Sequence, residues 1–121
     1  MAMLDWNEYR QQLANTIAEI GKTAPELTRG YKMLVASRAT SSALDAKTRE
    51  LVALAVAVTL RCDGCITTHV ELARKQGASS SEIVDALGIA VMVNAGAALV
   101  YSARTVDAFH AAVAGSAESA G

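Results

Sequence analysis

Two cysteines, a histidine and a glutamate carry the chemistry open to this sequence. Cys62 and Cys65 stand three apart; His69 follows four residues after Cys65 and seven after Cys62. At about 100° per residue on a helix, the three side chains share an arc of roughly 60°. A Cys-x-x-Cys pair at a helix start can close a disulfide, and the unpaired backbone N–H groups there favour a thiolate over a thiol. A histidine one turn on can accept the thiol proton or, once protonated, stabilise the thiolate. Cys65 is in i+4 reach of His69 and is the candidate nucleophile. Cys62, next to Arg61 and nearer the loop, is the candidate resolving and partner-facing thiol. Glu50 lies twelve residues before Cys62, at the edge of an apolar run over residues 51–60. Part-burial there suits a carboxylate to proton transfer near neutrality, whereas an idle first-turn carboxylate facing the helix dipole is the plain alternative.

Other uses of the cysteines fit less well. Zinc wants four ligands, usually from two arms, and the other histidine, His110, is 41 residues beyond His69. Haem attachment needs a histidine directly after the second cysteine, where Ile66 stands. Inert core cysteines beside a surface histidine stay open on spacing alone. There is no glycine-rich phosphate loop and no nicotinamide-binding fingerprint, so no cofactor and no metal is expected.

Helices must position these groups. The 121 residues include 25 alanines and one proline, a balance that favours helix and disfavours a chain of short strands. Asp5 caps a first helix that Gly21 is expected to end, and Pro25 opens a second. The second fades in a polar linker over residues 38–42. Asp45 caps a third, nearly all apolar after Glu50. Residues 61–65 form a short break, and a fourth helix runs to Gln76 with Gly77 as its stop. Ser79 and Glu82 have the spacing of a capping box that opens a fifth helix. A kink or break at residues 94–96 is expected to separate this from a sixth, over about 97–113. The domain reading is an N-terminal helix over 1–24, a core over 25–114 and a flexible tail over 115–121.

Apolar residues make up 52% of the chain and charged residues 19%, which excludes disorder for most of it. The net charge of −1 leaves no basic field for a nucleic acid backbone. The N-terminus lacks the basic and apolar regions of a signal peptide, and no uninterrupted apolar run is seen to reach the ~20 residues of a membrane span. A cytoplasmic protein without membrane contact is expected. Residues 51–60 and 89–100 would leave large apolar patches on so small a monomer, so a homo-oligomer is expected. Tyr101 and His110 are candidates to reach the site from a neighbouring subunit.

Taken together, Glu50, Cys62, Cys65 and His69 form the pattern Glu-x11-Cys-x2-Cys-x3-His. The pattern and its surroundings over about residues 25–110 resemble the alkylhydroperoxidase D-like branch of the carboxymuconolactone decarboxylase superfamily. The resemblance implies an all-helical fold assembled into homotrimers or homohexamers. It also implies a thiol-dependent peroxidase or disulfide oxidoreductase, with Cys65 peroxidatic, Cys62 resolving, and His69 and Glu50 as proton relay. The substrate would be a hydroperoxide, and the electron donor a dithiol carrier such as a lipoylated protein. The pattern departs at one place: the name-giving peroxidase has a histidine just before its second cysteine, where this chain has Gly64. That departure implies weaker activity or a different donor. Two rivals remain: a lactone decarboxylase-like enzyme using Glu50 and His69 as acid and base, and a non-enzymatic oligomer that senses redox state through its disulfide.

Overall fold

The computed structural model describes residues 2–40 and 43–120. It is all-helical among those residues, with α1 (Trp6–Thr23), α2 (Pro25–Ala39), α3 (Ala46–Leu60), α4 (Asp63–Lys75) and α5 (Ser80–Ala120). Residues 41–42 of the expected polar linker lie outside the described residues.

Local chemistry explains most of the boundaries. The Asp5 carboxylate accepts from the Glu8 N–H at 3.0 Å, and that of Asp45 from the Thr48 N–H at 2.8 Å. Each satisfies a donor that the first turn leaves free. The first helix does not stop at Gly21 but continues through Thr23. Proline sets that end: Pro25 disfavours helical backbone at Ala24, whose φ of −133° marks the corner into α2. α3 ends on Arg61, left-handed at φ 55°, and the Cys62 N–H returns to the Ala57 carbonyl at 3.1 Å. Gly77, at φ 83°, closes α4 in the same way, as the Ala78 N–H reaches the Ala73 carbonyl at 3.0 Å. The capping box is reciprocal: the Glu82 N–H donates to Ser79 Oγ at 3.1 Å, and the Ser79 N–H to Glu82 Oε1 at 3.0 Å.

Among the described residues five helices stand where six are expected. α5 runs unbroken through residues 94–96 and on to Ala120, so the stretch taken as a tail has helical backbone through that residue. Asn94 does not leave the helix, because Nδ2 donates to the Ala90 carbonyl at 2.7 Å and to Thr59 Oγ1 on α3 at 2.9 Å. One glycine among alanines costs only about 1 kcal/mol of helix propensity, too little to stop propagation. The merger also revises the membrane reading. Ser80–Ala117 is one helix long and apolar enough, by length and composition, to cross a membrane.

α3 is central, packing on α4 and α5, while α1 covers α4 and touches α2. Leu54 and Ala57 of α3, Thr67 and Ala73 of α4 and Ala90 of α5 are the buried residues where these helices meet. Lys47 at the start of α3 pairs with Glu82 at the start of α5, Nζ to Oε2 2.7 Å.

Candidate active site

The site lies where α3 and α4 meet. Glu50 precedes Leu54 and Ala57 by four and seven residues, so it shares the face of α3 that carries those two buried side chains. His69 lies on α4, one turn after Cys65. The helices bring His69 Nδ1 to within 2.6 Å of Glu50 Oε2, with both side chains half-buried. A neutral His69 donates Nδ1–H to the carboxylate, which fixes the tautomer and leaves Nε2 as the basic nitrogen. Cys65 and His69 are i,i+4 neighbours on one helix, positions whose Cβ atoms lie about 5–6 Å apart.

Cys62 and Cys65 are joined in a disulfide, with Cα atoms 5.2 Å apart, inside the usual span for such a bond. Cys62 is the N-cap of α4 rather than part of its first turn, and its Sγ accepts from the Cys65 backbone N–H at 3.1 Å. The sulfur therefore takes the place of the serine or aspartate oxygen that usually satisfies such a donor. Helical spacing puts both cysteines on one face but does not by itself show this contact. Its signal was available, since a capping side chain bonds to the N–H three residues on, which is the spacing of the pair.

The residue between them has its own role. A Cβ built on Gly64 would lie 2.6 Å from Leu13 Cδ2 of α1. The end of the Leu13 side chain thus occupies the space that a side chain before Cys65 would enter, and would have to shift to admit one. Thr67 below it is buried and donates from Oγ1 to the Trp6 carbonyl at 3.4 Å, tying the start of α1 to α4.

The four expected residues thus form two contacts that share α4: the closed cysteine pair and the Glu50–His69 pair. Tyr101 and His110 sit on the exposed half of α5. The Arg104 guanidinium lies over the Tyr101 ring at 4.8 Å, and the His110 ring leans on Phe109 at 6.2 Å. Among the described residues, no three His, Cys, Asp or Glu side chains gather closely enough to hold a metal ion.

Comparison with known proteins places this arrangement. An uncharacterized protein of Haemophilus influenzae is 48% identical over 105 residues, 87% of this chain and 93% of its own length. A carboxymuconolactone decarboxylase family protein from Legionella pneumophila, solved in its apo form, superposes with a TM-score of 0.70 at 35% identity, covering 81% of this chain and 88% of that one. A protein from Methanobacterium thermoautotrophicum superposes with a TM-score of 0.64 at 26% identity, over 68% of this chain and 92% of its own. The family model for carboxymuconolactone decarboxylase matches residues 23–112. That match takes in both arms of the site, all of α2 to α4 and α5 through residue 112, and the chain belongs to the carboxymuconolactone decarboxylase family.

Proposed function

We propose that the protein is a thiol-dependent peroxidase and disulfide oxidoreductase of the cytoplasm, working as a homotrimer or homohexamer. The observation that supports this best is the closed Cys62–Cys65 pair one helical turn from a histidine held by a carboxylate. In the reduced protein, His69 Nε2 takes the Cys65 proton and Glu50 steadies the imidazolium. The Cys65 thiolate attacks the outer oxygen of a hydroperoxide. The O–O bond breaks, the alcohol leaves with the proton held by His69, and Cys65 becomes a sulfenic acid. Cys62 then attacks that sulfur, forming the disulfide and releasing water. A dithiol carrier, such as a lipoylated protein, supplies two electrons and two protons to reopen it.

The test is hydroperoxide consumption with dihydrolipoamide as donor, alongside mass spectrometry of the cysteine pair. Cys65→Ser is expected to reduce turnover to background, and Cys62→Ser to leave Cys65 trapped as a sulfenic acid. Equal turnover by parent and Cys65→Ser would sink the proposal. Lactone turnover retained by a variant lacking both cysteines would replace it with acid–base chemistry at Glu50 and His69.

A further inference from the structure

The chain exposes 9358 Å², whereas a compact monomer of 12.6 kDa exposes about 6,200 Å². The excess of about 3,000 Å² on one chain compares with roughly 1,000–2,500 Å² that each partner of an obligate interface buries, so it suffices for at least one such interface. Two features of the chain hold much of it. One is the second half of α5. Every residue from 91 to 117 is exposed, and Asn94 is the last residue along α5 shown bonded to another helix. Beyond Asn94 the helix projects as an arm about 40 Å long, with Leu99, Val100, Tyr101 and Phe109 in the open.

The other feature is a groove of about 650 Å³ between α3 and the first half of α5, lined by Leu51, Val52, Val56, Ile89 and Val93 among others. At about 100° per residue, Val52, Ala55 and Thr59 point roughly opposite to Glu50, Leu54 and Ala57. The groove therefore opens on the side of α3 away from the thiols and is no route to them. Its charge is placed at one end, where Glu82 and Asp85 line it. Asp85 makes no ion pair among the described residues. Arg104, on the arm, is the single Lys or Arg after Lys75.

We propose that this groove is an interface between copies of the chain, and that its occupant is the projecting half of α5 from a second copy. The apolar stretch of the arm covers the apolar floor, and Arg104 meets Asp85 at the acidic end, where Glu82 is already paired with Lys47. The contact is heterologous, groove to arm, so each copy offers one of each and a ring can close. This adds the surface and the segment to the assembly proposed above, and it is independent of the thiol chemistry.

Light scattering after size exclusion tests it, with Val56→Glu in the groove and Leu99→Glu on the arm. Both positions are exposed in the single chain, so neither charge has to enter its core. The parent is expected to run without detergent as a multiple of the single-chain mass, and each variant as one chain. Mixing the two variants is expected to restore a species of twice that mass, because each keeps the half that the other has lost. A misfolded variant cannot produce that gain. A monomeric parent, variants that keep the parent's mass, or a mixture that stays monomeric would overturn the proposal. So would a parent that sediments with phosphatidylcholine vesicles, which would make α5 a membrane-seeking helix.

Discussion

Hydrogen bonding divides the labour between two sulfurs that look alike in the sequence. Cys62 Sγ is the cap of α4 and receives a backbone N–H, a contact that supports negative charge on that sulfur whatever its neighbours do. Cys65 has no such position, and in the proposed chemistry it relies on the imidazole one turn away. Alkylation by iodoacetamide can separate the two. In a Cys62→Ser background, His69→Gln is expected to slow reaction of Cys65 about 10-fold or more at neutral pH. In a Cys65→Ser background the same change is expected to leave Cys62 within about 2-fold of its rate. Equal slowing at both cysteines would mean that His69 serves both sulfurs and that the capping contact is idle. At this scale the sequence was highly legible, because Cys65 and His69 share one helix and their proximity follows from helical spacing. Gly64 was less so. It read as a turn residue, yet its missing side chain leaves room for Leu13, which lies 51 positions earlier. A histidine there, as in the name-giving peroxidase, would require the Leu13 side chain to shift.

The helices are held at their ends by carboxylates. The Thr48 amide keeps the Asp45 carboxyl below its usual range, and Lys47 does the same for Glu82, helped by the Ser79 amide. The Arg74 guanidinium, one turn on, lowers Glu71 to about 2. Each group binds its proton more weakly folded than unfolded. Its contribution is therefore complete above the unfolded carboxyl range, near 4 to 4.5, and is lost as pH falls through the lowered values. Urea midpoints are expected to be flat from pH 7 to about 5 and to fall steadily from there toward pH 2. Glu82→Gln, which removes one such carboxyl and the tie between α3 and α5, is expected to lower the midpoint at pH 7 and make the acid slope shallower. An unchanged slope would show that Glu82 is not a source of it. These caps were readable because each is a contact over three residues. α1 passes Gly21 because a glycine is a weaker stop than Pro25, and α5 stays whole where two helices are expected because Asn94 is held rather than breaking it. Its amide bonds to Thr59, on a helix that the local sequence does not contain.

Few of the described residues are buried in the single chain, and they are mostly small: Leu54, Ala57, Ala73, Ala90 and Thr67. Such a core is thin for the conformational entropy it must offset, so stability is expected to depend on association. Melting midpoints are then expected to rise with protein concentration for the parent. They are expected to stay constant for Leu99→Glu, at a lower temperature. A parent midpoint independent of concentration over a 100-fold range would argue against coupled folding and assembly.

The candidate residues, the spacing of Cys62, Cys65 and His69, most of the helix caps and the all-helical class are properties of local order, because a helix converts spacing of three and four into adjacency. Tertiary structure decided the rest. It set Glu50 against His69 across nineteen residues, made Cys62 a cap, filled the space beside Gly64 with Leu13, and kept α5 whole. Each of these depends on which surface another helix presents at that point, and no periodicity within a segment encodes that.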